Sequence, residues 1–121
     1  MSFFWVFLGG GLGSLCRFSI ARWLPVPDLS FPWPTFWANL ISSFILGWLV
    51  AMKAQGQLSA SAQFLLMTGF CGGFSTFSTF SYEAYSLLSD GRLTLAFTYL
   101  AVSMAVGLLA VLAGVRVGMW V

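Results

Sequence analysis

GFCGGFSTFSTFS, residues 69–81, sets five hydroxyl side chains (Ser75, Thr76, Ser78, Thr79 and Ser81) among Phe70, Phe74, Phe77 and Phe80, just after Gly72-Gly73. A core helix has no need of so many hydroxyls, and a soluble loop would not carry so many phenylalanines. The surroundings decide the matter. Of 121 residues, 60% are hydrophobic and 7% charged, against roughly 25% charged in an ordinary soluble domain. The charges avoid the long apolar runs. A run of ~20 such residues spans a hydrocarbon layer of ~30 Å as a helix. The chain reads as an integral membrane protein.

Four segments emerge, at about residues 3–23, 35–52, 62–88 and 93–120. Trp5 and Trp23 near the ends of the first suit interfacial anchors. PVPDLSFPWP (25–34) holds all four prolines and forbids a continuous helix. Lys53 and AQGQLSAS close the second segment, and SDGR (89–92) turns the chain before the fourth. Residues 1–121 therefore form a single all-α domain of four transmembrane helices. A β-barrel would need alternating segments of ~10 residues, and these runs are longer and uniformly apolar. A cleaved leader would begin with basic residues, whereas MSFFWVFLGG has none.

Composition narrows the function. The chain has no histidine and three carboxylates (Asp28, Glu83 and Asp90), without an obvious catalytic pair. The commonest general base is missing, so an enzyme is not expected. Cys16 and Cys71 lie in apolar runs without a clustered ligand and read as inert thiols. A net charge of +2 without a basic run predicts no nucleic-acid partner.

Basic residues on the cytoplasmic side orient membrane chains. Here Lys53 and Arg116 fall on one side, and Arg17, Arg22 and Arg92 on the other. So weak a bias leaves two outcomes open, a single orientation or insertion both ways with antiparallel pairing. Gly9/Gly13, Gly69/Gly73 and Gly114/Gly118 form G-x-x-x-G pairs that let helix backbones approach. GGGLG (9–13) lacks the Lys-Ser/Thr of a phosphate loop and lies in a span, so packing is its expected role.

On a continuous helix, residues three apart drift by only about 60°. The Phe-Ser-Thr repeat then makes slowly twisting stripes of Phe74/Phe77/Phe80, Ser75/Ser78/Ser81 and Thr76/Thr79. Such hydroxyls can bond back to the preceding turn, but their number points to a surface that meets something polar. Gly72-Gly73 before Ser-Thr is a poor helix interior. A break there frees carbonyls that a membrane tolerates only where protein, water or an ion satisfies them, a buried cation being one solution. Phenylalanine edges carry weak positive charge and would attract an anion without trapping it, as conduction requires. Asn39, in PTFWANL, is equally readable as an anion donor and as an interhelical hydrogen bond.

GFCGGFSTFSTFSYE, with GGGLGSLCR before it and PTFWANL between, resembles the Fluc (CrcB) family of fluoride channels over essentially the whole chain. The resemblance implies an antiparallel dual-topology homodimer with a broken third helix and two fluoride pores in the cell (inner) membrane. It implies an ion pathway through Asn39, Phe77 and Phe80, with Thr79, Ser103, Thr35, Glu83 and Arg17 along it. It also implies a central structural Na⁺ held by the backbone carbonyls of Gly72 and Ser75. Ser75 stands where threonine is usual, Phe74 where a smaller residue is common, and Gly107 where a second hydroxyl of the fourth-helix track is expected. The implied function is passive export of cytoplasmic fluoride, reducing its toxicity. Two rivals are a small proton-coupled exporter, which needs an acidic residue in a first helix that has none here, and a membrane assembly protein.

Overall fold

The computed structural model describes residues 1–120, and among them all regular structure is helical. Helix α1 is Ser2–Trp23 and α2 is Trp33–Ala54. A continuous helical run follows, made of α3 (Ala60–Ala62), a π-helical stretch (Gln63–Cys71) and α4 (Gly72–Phe74). After two non-helical residues come α5 (Phe77–Ser89) and α6 (Leu93–Trp120). α1, α2 and α6 are each long and apolar enough to cross a membrane.

Local chemistry sets the boundaries. Pro32 caps α2 and Pro34 sits in its first turn, where no helical N–H is required. Both α2 and α5 end on a glycine at positive φ, Gly56 at 73° and Gly91 at 76°. At the first, Gln57 N–H reaches the Met52 carbonyl (2.9 Å) and Gly56 N–H that of Lys53 (3.0 Å). At the second, Arg92 N–H reaches Leu87 (2.8 Å) and Gly91 N–H reaches Leu88 (3.1 Å). Both are Schellman closures, which satisfy the last carbonyls without a further turn.

Two tight pairs organise the packing. α1 lies beside the Ala60–Phe74 run and α2 beside α6, each pair running parallel. Glycine makes both possible, as the G-x-x-x-G spacing predicts. A Cβ at Gly9 would sit 2.8 Å from Phe70 N, and one at Gly13 2.7 Å from Phe74 N. Likewise a Cβ at Gly47 would come 3.0 Å from Val115 N, and one at Gly114 2.9 Å from Trp48 N. Where α2 begins and α5 meets α6, a core forms from Phe36, Phe80, Ala84, Leu87, Ala96 and Tyr99.

The continuous stripes expected from the triplet repeat are not what the chain forms. Ser75 (φ −81°, ψ 155°) and Thr76 (φ −150°, ψ 124°) are extended, so the helical phase is lost between Phe74 and Phe77. Phe74 is buried at 4% exposure while Phe77 is 79% exposed. The non-helical residues also lie after the glycine pair rather than at it. Gly72 and Gly73 remain helical, and a Cβ at Gly73 would sit 2.9 Å from Gly10 Cα.

Gly114→Ala should destabilise the protein by about 1–3 kcal/mol, the range for overpacking a filled contact. Gly11→Ala, with nothing within 4 Å of its added Cβ, should leave stability unchanged or raise it by up to about 1 kcal/mol, since alanine is the better helix former. Thermal unfolding of the purified variants in detergent checks the contrast.

Candidate functional site

Thr35, Asn39 and Ser42 follow one another at spacings of four and three, which places them on one face of α2. That face looks onto residues 71–83 of the third segment. Ser42 Oγ donates to the Cys71 carbonyl (3.1 Å), Asn39 Oδ1 accepts the Thr76 N–H (3.1 Å), and Thr35 Oγ1 donates to Glu83 Oε2 (3.0 Å). Thr35 and Ser42 are buried at 6% and 3% exposure, so their bonds stand where water does not compete. The row is antiparallel to the segment it contacts, meeting residues 83, 76 and 71 in turn.

At the two extended residues, the backbone is rewired by side chains. The Cys71 carbonyl accepts the Ser75 N–H (3.1 Å), the Ser75 hydroxyl (2.8 Å) and the Ser42 hydroxyl. Thr76 caps α5, its Oγ1 accepting the Thr79 N–H at 3.4 Å. It also lies 3.3 Å from Ser78 Oγ and 3.4 Å from Thr79 Oγ1. Back-bonding therefore accounts for the Ser75 hydroxyl and capping for Thr76. In an unbroken helix the Thr76 N–H would bond the Gly72 carbonyl. Here Asn39 takes it, and the Gly72 and Ser75 carbonyls find no hydrogen-bond donor among the described residues.

Glu83 is held from both sides, by Thr35 at Oε2 and by Tyr99 Oη at Oε1 (2.9 Å). Its carboxylate lines a cavity of about 380 Å³ together with Arg17, Thr35 and Thr79. Arg17 donates from Nε to the Gly73 carbonyl (3.3 Å), which leaves its remaining guanidinium donors for the cavity. One chamber thus holds a cation, an anion and hydroxyls. A second cavity of about 460 Å³, between residues 26–32 and α5, also reaches Glu83.

The phenylalanines differ from one another. The Phe80 ring packs 4.9 Å from Tyr99 and is 9% exposed, whereas Phe77, 6.2 Å from Phe80, is 79% exposed. Ser103 Oγ, one turn beyond Tyr99 on α6, is buried without a hydrogen-bond partner among the described residues. Of the residues singled out in the sequence, Arg17, Thr35, Thr79 and Glu83 share a cavity, Asn39 meets the extended residues, and Ser103 stands apart from these contacts. Two participants escaped the sequence reading. Ser42 was discoverable from its spacing to Asn39 and Thr35. Tyr99, fully buried on α6, carries no sequence signal beyond being a phenol in an apolar span.

These features define a small all-helical membrane protein with polar groups buried between its spans. The CrcB-like protein, Camphor Resistance (CrcB), family model matches residues 4–115. The chain is 40% identical over 114 residues to the fluoride-specific ion channel FluC of Thermus thermophilus, covering 93% of this chain and 90% of that protein. It is 46% identical over 108 residues to the protein of the same name from Pyrococcus abyssi, covering 88% and 87%. For that of Chlorobaculum tepidum the identity is 42% over 107 residues, covering 88% and 85%. The chain belongs to the CrcB family, whose members named here are ion channels and not enzymes.

Tyr99→Phe keeps the ring against Phe80 and removes one of the two donors to Glu83. A hydrogen bond to a charged group is worth about 1.5–3 kcal/mol, and stability should fall by that order. In a double-mutant cycle with Thr35→Val, the two losses should be non-additive, because both donors serve one carboxylate. Denaturant unfolding of the four proteins in detergent measures the coupling.

Proposed function

We propose that this chain is a fluoride-specific channel that lets fluoride leave the cell passively, working as an antiparallel dual-topology homodimer in the cell membrane. The observation that carries the reading is the row Thr35, Asn39 and Ser42 along α2, bonded in turn to Glu83, the Thr76 N–H and the Cys71 carbonyl, in a chain whose relatives are named fluoride-specific channels. Fluoride is small and strongly hydrated, so a path must replace its water with donors. Asn39 has its oxygen engaged by Thr76, which leaves the amide NH₂ as a donor pair. Thr79 adds a hydroxyl, and the Phe77 and Phe80 ring edges supply weak positive charge. None of these fixes the anion as a salt bridge would, so entry and exit remain balanced. Arg17 draws anions toward the cavity that also holds Thr35, Thr79 and Glu83. Ser103, with an unengaged hydroxyl, extends the path along α6. HF enters cells as a neutral molecule and ionises inside, and a potential negative inside then drives the anion outward.

Pairing of two copies accounts for the exposed Phe77 and for the Gly72 surface. A Cβ at Gly72 would meet nothing within 4 Å in one protomer. The Gly72 and Ser75 carbonyls suit a hard cation, since both are oxygen donors without a hydrogen-bond partner among the described residues. They would hold a structural Na⁺, which when bound supplies fixed positive charge at the centre of the dimer.

Phe77→Ile keeps apolar volume at an exposed ring and removes its quadrupole. Fluoride efflux from proteoliposomes, normalised to dimer content, should fall at least about tenfold, equivalent to ~1.4 kcal/mol on the barrier. Unchanged efflux would remove Phe77 from the path. Gly72→Leu should leave the protomer folded, because space is open there, yet abolish dimerisation measured by cross-linking. A fully dimeric Gly72→Leu protein would refute the pairing through this surface.

A further inference from the structure

Asn39 Oδ1 holds the Thr76 N–H at 3.1 Å, which leaves its NH₂ end for the anion-donor role proposed above. The orientation of the amide is fixed by chemistry, because a backbone N–H needs an acceptor and only the oxygen end provides one. That same N–H is the natural partner of the Gly72 carbonyl in an α-helix. Removing the acceptor would leave a part-buried N–H without its partner, which is costly wherever water does not replace the lost bond. Its nearest remedy is to rejoin Gly72 by restoring the helical turn.

Ser42, three residues on, acts on the other side of the interruption. With the Ser75 hydroxyl it loads the Cys71 carbonyl, anchoring the end of the preceding helical run to α2. Two residues of one helix face therefore hold the Cys71 carbonyl ahead of the extended pair and the Thr76 N–H within it.

We propose that Asn39 is a positioning residue for cation binding as well as an anion donor: by holding the Thr76 N–H it keeps the Gly72 carbonyl open. This inference rests on the Na⁺ reading given above and adds to it a physical link between the anion path and the cation site. The two roles use opposite ends of one amide, so they are separable by substitution. Asn39→Asp retains an acceptor for Thr76 and loses the NH₂ donors. Asn39→Leu has similar bulk and retains neither. Ser42→Ala leaves the Cys71 carbonyl with its two Ser75 donors.

The test titrates the purified full-length protein in detergent with Na⁺, replacing it with N-methylglucamine at constant ionic strength, and reads the melting temperature. Fluoride efflux from proteoliposomes is measured on the same preparations. Wild type should melt higher as Na⁺ is added. Asn39→Asp should keep its Na⁺ midpoint within about threefold while losing fluoride efflux. Asn39→Leu should lose efflux and shift the Na⁺ midpoint upward at least tenfold, and Ser42→Ala should shift it by less. A normal Na⁺ response in Asn39→Leu would overturn the proposal, as would its loss in a folded Asn39→Asp protein. The second criterion stands even if Asn39→Leu does not fold. A wild-type protein indifferent to Na⁺ would instead sink the cation reading itself, and this inference with it.

Discussion

A backbone N–H or carbonyl inside a bilayer has no water to fall back on, and the third segment of this chain is arranged around that constraint. Two residues, Ser75 and Thr76, leave the helical conformation. Their neighbours then depend on side chains from elsewhere. Asn39 receives the Thr76 N–H, while Ser42 and Ser75 converge on the Cys71 carbonyl. The hydroxyls that looked excessive in the sequence are in part the means by which a non-helical backbone survives among apolar spans.

The helix that supplies these partners is itself rigidly placed. α2 runs against α6 through Gly47 and Gly114, where added side chains would meet backbone. Its polar face is thereby fixed at Thr35, Asn39 and Ser42. α1 plays the matching part on the other side, its glycines meeting the Ala60–Phe74 run while Arg17 reaches the Gly73 carbonyl. Close glycine packing and the polar row belong to one design, since small residues bring the backbones near enough for short side chains to bridge them.

The turns and the three long apolar helices were legible in the sequence because they follow from strong local signals. By contrast, G-x-x-x-G spacing is a common and weak signal that left Gly47 unmarked. Prolines at 25–34, Gly91 after Asp90 and an apolar run of helical length have few alternative readings. The third segment was legible only in part. Assuming one helical phase through residues 74–80 put Phe74 and Phe77 on a common stripe, yet two extended residues give them opposite environments. Asn39 drew attention as an amide in an apolar span, but its partner, the Thr76 N–H, depends on how the backbone bends. Tyr99 could not be found, because its role is defined by Glu83 on a different helix. Family resemblance names Arg17, Thr35, Thr79 and Glu83 as ion-pathway residues, and the four line one cavity.

Ion flux through the unmodified protein tests the central claim most directly. Proteoliposomes loaded with equal fluoride and chloride, and given valinomycin and a K⁺ gradient to balance charge, would be followed with electrodes selective for each anion. The account predicts rapid fluoride release that depends on the protein, with chloride retained. Retention of fluoride by vesicles containing folded protein, or equal release of both anions, would contradict it.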